Sequence, residues 1–120
     1  MAEFVSAPVQ EMSESSSIEY SGRYFRANLN LNRDQMNRFV EFNPEFREKA
    51  WRINVSLESV RHKMLTEIAS KNTDNNKLDM LSDSIGYLHS NLKKLTCRYY
   101  IDIKNICNQA QQEKLKLMFV

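Results

Sequence analysis

Residues 31–39 read LNRDQMNRF, and residues 107–115 read CNQAQQEKL. Both stretches carry Asn at the second position and Gln at the fifth. The side chain of an Asn that caps a helix accepts a hydrogen bond from the backbone N–H three residues later. A Gln at that later position can in turn accept a hydrogen bond from the backbone N–H of the cap residue. The pattern therefore predicts two helix starts, each with an apolar residue just before the cap. The residues of the two motifs are Leu31, Asn32 and Gln35, and Cys107, Asn108 and Gln111.

The composition favours long helices in a single domain. A chain of 120 residues is enough for one domain with a modest core. It contains only two Gly and two Pro, the residues that form most tight turns, so we expect an all-α fold with few connections. The net charge of +2 comes from 17 basic and 15 acidic residues with no block of one sign, so no nucleic-acid partner is expected.

The sequence predicts neither a membrane-spanning segment nor a signal peptide. No apolar stretch approaches the roughly 20 residues that cross a bilayer, and the start MAEFVSAPVQ lacks the pattern of a signal peptide. The initiator can equally stand in place of a removed export segment or membrane anchor, so this start does not decide where the natural protein resides.

Two segments carry apolar residues at alternating steps of three and four, which is the seam of a helix pair. The first seam comprises Phe46, Ala50, Ile53, Leu57, Val60 and Met64, and the second comprises Leu78, Leu81, Ile85, Leu88, Leu92, Leu95 and Tyr99. The short polar connector KNTDNN between them forces the helices antiparallel. Matching the seams places Val60 near Ile85 and Leu57 near Leu88.

We expect four helices in the order short, long, long, short. The first short helix runs from Arg33 to Phe42, because Pro disfavours helical geometry in the residue before it and is well placed at the start of a helix. Asn43 then caps the first long helix at Pro44, and that helix ends near Ser70. The second long helix runs to about Ile106, and the last short helix covers residues 109–119. Each motif opens a short helix, and the two short helices close the two ends of the hairpin.

The remaining segment is the beginning of the chain. Residues 1–24 contain SESSS and no sustained periodicity, so we expect a flexible leader or linker after a removed signal or anchor. Residues 25–120 then form the helical domain.

A hairpin of two helices cannot hide all the apolar side chains of this sequence. Those outside the seams include Trp51, Val55, Leu65, Ile68, Tyr87 and Tyr100. A large exposed apolar patch usually marks an interface, so we predict a homodimer. Gly86 lies in the middle of the second long helix at a cost of about 1 kcal/mol relative to Ala. It marks either a close dimer contact or an accident of packing.

The sequence offers no catalytic constellation, so an enzyme is not expected. It has no Gly-rich phosphate loop, no HExxH or CxxC, and no nucleophile elbow. Cys97 and Cys107 are ten residues apart on one predicted helix, about 15 Å, whereas a disulfide needs Cα atoms within roughly 7 Å. They are free thiols or bridge two subunits.

The two histidines are the candidate metal ligands. His62 has Glu58 one turn before it and Asp83 roughly across the hairpin, an arrangement that could bind zinc or another divalent transition metal, although a solvated histidine is the commoner case. His89 falls near Ser56 and away from His62, so the two do not form one site within a monomer, although they could do so across a dimer.

The run LKKLTCRYYIDIKN combines basic and aromatic residues. Its basic residues are Lys93, Lys94, Arg98 and Lys104, with Tyr99 and Tyr100 between them. It is either a surface for unfolded acidic chains or a membrane, or the solvated side of an amphipathic helix, which is the more common case.

The doubled motif, the helix order and the length resemble the Spy/CpxP and periplasmic heavy-metal-sensor (CnrX-like, ZraP-like) superfamily of bacterial envelope proteins. Its hallmark is two L-T-x-x-Q motifs, each opening a short helix around a long hairpin. The resemblance covers residues 23–120, and FREKA, LSDSIGYLH, LKKLT and QQEKLKLMF look like membrane-anchored sensor-type members from Bacteroidetes. Asn replaces both threonines and keeps the capping chemistry, and Cys107 replaces a Leu.

The resemblance implies a periplasmic protein, usually exported behind a signal or anchor, that forms a curved antiparallel dimer. Members either sense metals, often upstream of a membrane-anchored regulator of a sigma factor, or hold unfolded clients without ATP. The His and Met ligands of CnrX-like sensors align with Tyr99 and Ile103, which are poor substitutes. A site built on His62 or His89 stays open.

The expected function is therefore that of a non-enzymatic envelope-stress protein of the heavy-metal sensor or resistance type that requires no cofactor. The alternative is a holdase chaperone that binds unfolded proteins on the concave dimer surface. A structural adaptor for one partner protein is a third hypothesis.

Overall fold

The computed structural model describes residues 22–118, which form four α-helices and, within that range, no strand. The helices are α1 (Gly22–Leu29), α2 (Arg33–Ile68), α3 (Asn75–Ile106) and α4 (Gln109–Met118). The predicted all-α fold and its short, long, long, short order are confirmed. The molecule is elongated, measuring 58 × 24 × 19 Å along its principal axes.

Helices α2 and α3 form the predicted antiparallel hairpin. Its connector is closed by Asp74, whose side chain caps α3 by accepting hydrogen bonds from the backbone of Asn76 and Lys77 at 3.0 and 3.3 Å. The register that pairs Leu57 with Leu88 also pairs Phe46 with Tyr99, and those two rings stack with centroids 3.8 Å apart. The predicted register is therefore confirmed at this point of the hairpin.

The prediction of a helix break at Asn43 and Pro44 is wrong, because α2 continues through Pro44. Proline removes one helical hydrogen bond at a cost of about 3 kcal/mol. Pro44 is exposed, so water can reach the backbone carbonyl that lacks its donor, whereas Asn43 is buried and its side chain accepts a hydrogen bond from the Tyr99 hydroxyl. Phe39 and Phe46, on either side of the proline, are also buried. Tertiary packing on both sides outweighs the local cost.

The first short helix is α1, not the segment from Arg33 to Phe42. It begins at Gly22, so the last three residues of the predicted leader are helical, and residues 1–21 lie outside the described residues. Phe25 and Leu29 are each 1% exposed, and packing rather than intrinsic propensity must stabilise so short a helix. Asn30 follows with φ 56°, a left-handed conformation that Asn tolerates well and that ends helices.

The core lies at the end of the hairpin where the chain enters and leaves it. An aromatic cluster joins α1, α2 and α3 there, and its members are Phe25, Phe39, Phe42, Phe46 and Tyr99. Ile103, Ile106 and Leu115 extend it towards α4. Towards the connector the core stops at Leu57 and Leu92, and no side chain between residues 58 and 91 is buried. We call residues 58–91 the distal arm.

Candidate functional site: paired capping motifs and exposed apolar faces

The glutamines of the two motifs bind each other. Gln35 Nε2 donates to Gln111 Oε1 at 2.7 Å, and Gln111 Nε2 donates to Gln35 Oε1 at 3.1 Å. Each Oε1 also accepts from the backbone N–H of its own cap, Asn32 at 2.9 Å or Asn108 at 2.8 Å. In turn, the backbone N–H groups of Gln35 and Gln111 donate to the side-chain Oδ1 atoms of Asn32 and Asn108, both at 2.8 Å. The predicted reciprocal capping is therefore confirmed at both motifs.

The same two glutamine amides also form hydrogen bonds with backbone carbonyl groups at the ends of the neighbouring helices. Gln35 Nε2 donates to the carbonyl oxygen of Ile106 at 2.8 Å, near the end of α3. Gln111 Nε2 donates to the carbonyl oxygens of Leu29 and Asn30 at 3.0 and 3.4 Å, where α1 ends. The ends of α1 and α3 and the starts of α2 and α4 therefore meet at one hydrogen-bonded cluster, which we call the amide hub.

The expectation that the motifs close opposite ends of the hairpin is wrong. The start of α2 and the end of α3 lie at the same end of an antiparallel pair, so both motifs are brought together there. The first motif opens the long helix α2, and only the second opens a short helix, α4. The repetition serves to pair the two glutamines, and the sequence indicated the caps but not this pairing.

A shallow cleft of about 320 Å³ lies beside the amide hub. It is lined by Leu29, Asn30, Asn108, Ala110, Gln111 and Lys114. The side-chain amide of Gln111, which lines the cleft, is engaged in hydrogen bonds within the hub.

The candidate metal ligands are not brought into a cluster. His62, Glu58 and Asp83 are all exposed. The Nε2 atom of His89 lies 3.4 Å from Arg61 Nη2. The pKa of His89 is lowered by partial burial and by the charge of Arg61. A neighbouring guanidinium opposes the binding of a metal cation at this ring. Across residues 22–118, no three His, Cys, Asp or Glu side chains converge in a metal-binding arrangement. The zinc hypothesis stays a prediction.

The two positions that the family resemblance aligns with metal ligands are core positions. Tyr99 is 2% exposed and Ile103 is fully buried. The Tyr99 ring packs in the aromatic cluster and its hydroxyl bonds to Asn43. In this chain, both side chains therefore contribute to the packing of the core.

Both cysteines are free thiols in the chain. Cys97 is exposed on α3, and Cys107 is half-buried at the end of that helix, where its backbone N–H bonds to the carbonyl oxygen of Lys104 at 3.1 Å. Burial raises the pKa of the Cys107 thiol. The prediction that they do not pair within the chain is confirmed.

Large apolar side chains lie exposed along the outer sides of the hairpin. Five of the six predicted ones are exposed, but Tyr100 is half-buried and packs against the core. The exposed set is Val40, Trp51, Val55, Leu65, Ile68, Met80, Tyr87, Ile101 and Leu117. Several of these lie on the distal arm, where the seam residues themselves are only half-buried.

The basic residues of the α3 run are exposed, but the aromatic residues between them are not. Lys93, Lys94, Arg98 and Lys104 are exposed, but Tyr99 is in the core. The exposed aromatic residue of α3 is instead Tyr87, on the distal arm. The run therefore fits the solvated side of an amphipathic helix.

Comparisons with protein-family models, with curated proteins and with solved structures gave no match for this chain. The resemblance to the Spy/CpxP superfamily therefore stays a prediction. Within residues 22–118, no helix combines the length and apolar character that crossing a bilayer requires.

Proposed function

We propose that this chain is a non-enzymatic protein that binds extended or unfolded polypeptides on its distal arm, as a holdase chaperone does. The observation that carries the proposal is the absence of any buried side chain between residues 58 and 91 of the hairpin. Two paired helices of this length without buried side chains gain little stability from their contacts with each other. A bound polypeptide would cover the apolar surface that the arm leaves in water.

The chemistry of the arm suits clients of varied sequence. Met80 and Tyr87 are 69% and 68% exposed on α3, and they combine an adaptable thioether with an aromatic ring. Acidic and basic residues, among them Lys77, Asp79 and Asp83, are interspersed around them without a long block of one sign. Flexible apolar contacts within mixed charge favour tolerant rather than selective binding.

The heavy-metal sensor hypothesis has less support from the geometry. The aligned ligand positions Tyr99 and Ile103 belong to the core, and Arg61 lies beside His89. A periplasmic location and a role in envelope stress remain part of the proposal, and they are supported by the family resemblance alone.

Binding can be measured by fluorescence anisotropy with labelled α-lactalbumin that has been reduced and carboxymethylated so that it stays unfolded. The test variant is Met80→Ser with Tyr87→Ser. The control is Leu117→Ser on α4, because Leu117 is 76% exposed but lies outside the arm. Burial of one such side chain is worth roughly 1.5 kcal/mol or more, so the double variant should weaken binding at least about tenfold.

The control and the addition of a chelator should leave the affinity unchanged. Absence of binding by the unaltered protein, or equal weakening in Leu117→Ser, would contradict the proposal. Binding that disappears with the chelator would instead favour a metal-dependent function.

A further inference from the structure

We propose that the distal arm unfolds locally as one unit while the core at the other end of the hairpin stays folded, and that this opening uncovers a second surface for unfolded polypeptides. The surface is the inner side of the arm, where α2 and α3 face each other. Its half-buried apolar members are Val60, Met64, Leu78, Leu81, Ile85 and Leu88. We call these six residues the arm seam. The inference deepens the polypeptide binding proposed above and rests on it.

Burial divides the hairpin into two parts of unequal stability. In the core part, α2 and α3 are held together by fully buried side chains such as Phe39 and Ile103. Beyond Leu57 and Leu92 the arm seam is only half-buried. Apolar burial is the main source of stability, and segments with few buried contacts open before the rest of a fold does. The arm is therefore the part of the hairpin that unfolds most readily.

A buried polar atom lies where the two parts meet. Asn54 is 7% exposed, and its Oδ1 atom is buried without a hydrogen-bond partner among the described residues. An unpaired buried carbonyl oxygen destabilises the closed state, whereas water can bind it once the neighbouring turns open. The next buried residue of α2 is Leu57, after which the core ends. Asn54 therefore favours opening at this boundary.

Helix α3 carries unfavourable residues inside the arm. Gly86 is less favourable than Ala in a helix interior, and an added Cβ would meet no atom within 4 Å, so no close contact requires Gly there. The hydroxyls of Ser82 and Ser84 donate to the backbone carbonyls four residues earlier at 2.9 and 3.2 Å, a bond that slightly destabilises helices. These three positions lie within five residues, so the helix is weakened where its packing is also poorest.

The connector makes the arm open as a unit. The Glu67 carboxylate accepts a hydrogen bond from the backbone N–H of Asp74 at 2.8 Å and pairs with Lys77 Nζ at 3.4 Å. These contacts join the last turn of α2 to the first turn of α3, so neither helix end frays alone. Opening then exposes aliphatic side chains and a methionine from both helices together, which suits the apolar segments of an unfolded polypeptide.

The first test is hydrogen exchange of the native full chain, measured by mass spectrometry. Amides in residues 58–91 should exchange at least about tenfold faster than amides in the core. Gly86→Ala should slow exchange in the arm about fivefold. Tyr99→Phe is the matched variant in the core, where the Tyr99 hydroxyl bonds to Asn43. It should speed exchange of core amides about fivefold or more and leave the arm within about twofold.

Tyr99→Phe decides the matter because local opening of the arm does not break the core. Arm amides that exchange as slowly as core amides, or that speed up together with them in Tyr99→Phe, would show that the arm unfolds only with the whole molecule. Either result would overturn the proposal.

The second test locks the arm seam with a disulfide in a background in which Cys97 and Cys107 are replaced by Ser. Val60→Cys with Ile85→Cys places one thiol on each helix at positions that the hairpin register brings opposite each other. The client is the labelled, carboxymethylated α-lactalbumin, which has no free thiol. The oxidised protein should bind it at least about tenfold more weakly than the reduced protein, because the seam is no longer accessible. Oxidation should leave either single cysteine variant unchanged.

Equal affinity of the oxidised and reduced proteins would overturn the arm seam as a binding surface. That result would leave binding through Met80 and Tyr87 standing, because both side chains are exposed while the arm is closed. Absence of client binding by the unaltered protein would instead contradict the proposed function itself, so the two failures are distinguishable.

Discussion

The amide hub predicts a strong energetic coupling between Gln35 and Gln111. The Gln111 side chain takes part in five hydrogen bonds of 2.7–3.4 Å and is 9% exposed. Four bonds at a net 0.5–1.5 kcal/mol each, with the longest bond left out, give a loss of roughly 2–6 kcal/mol for Gln111→Ala. Gln35 makes four bonds, so Gln35→Ala should also cost about 2–6 kcal/mol.

Two of these bonds run directly between the glutamines, and either single substitution removes both of them. The double variant should therefore lose less than the sum of the two single losses, by about 1–2 kcal/mol. Urea unfolding followed by circular dichroism measures all three variants. The single variants should also melt at temperatures lower by roughly 8 °C or more, since 1 kcal/mol corresponds to about 4–8 °C in a domain of this size.

Substitutions beside the hub serve as controls for the losses of stability expected for the glutamine variants. Asn32→Ala and Asn108→Ala remove one cap each and should cost about 1 kcal/mol. Gln109→Ala changes an exposed glutamine at the start of α4 and should stay within about 0.5 kcal/mol of the unaltered protein. Strictly additive losses for the glutamines, or a Gln111→Ala loss no larger than that of Gln109→Ala, would refute the reasoning about the hub.

Four further predictions concern single positions. Gly86→Ala should stabilise by about 1 kcal/mol in urea melts, because an added Cβ meets no atom within 4 Å; no gain would mean that something packs there. Pro44→Ala should stabilise by roughly 1–3 kcal/mol, since it restores a helical donor inside α2. Tyr99→Phe should cost about 1–3 kcal/mol, because it leaves the buried Asn43 oxygen without its donor. The pKa of His89 is lowered in the fold, so the unfolded chain binds this proton more readily, and stability should fall as pH drops below about 6.5. His89→Gln should remove that part of the pH dependence; an unchanged profile would show that His89 does not cause it.

The hairpin could be predicted from the sequence because its information is local and periodic. The apolar residues from Phe46 to Met64 and from Leu78 to Tyr99 define two seams, and the short connector leaves one way to join them. Register followed from matching the seams, and the Phe46–Tyr99 stack confirms it at that position.

The errors arose where tertiary packing overrides local rules. Pro44 predicts a break when only its neighbours in sequence are considered, but Asn43 and Phe46 are held in the core by α3. Helix α1 has only eight residues and gains its stability from Phe25 and Leu29 in the core. The spacing of those two residues by one helical turn, followed by Asn30, was the available signal for it.

The misplaced break also hid the amide hub. A hairpin that begins at Asn43 would place the first motif away from the hairpin end from which α3 exits. A continuous α2 places Gln35 beside the end of α3, and the pairing with Gln111 then follows from antiparallel geometry. The exposed side chains were better predicted, since Trp51 and Tyr87 lie outside both seams on simple helical periodicity.

The most direct test of the proposed function is suppression of client aggregation with metals controlled. Native α-lactalbumin is reduced to start its aggregation, and light scattering is followed with increasing amounts of this protein, either with a chelator or with zinc. The account predicts suppression at a near-stoichiometric ratio of this protein to client in both conditions, and a loss of suppression in Met80→Ser with Tyr87→Ser. Unchanged aggregation in both conditions, together with saturable zinc binding lost in His62→Ala or His89→Ala, would contradict it and establish the sensor hypothesis instead.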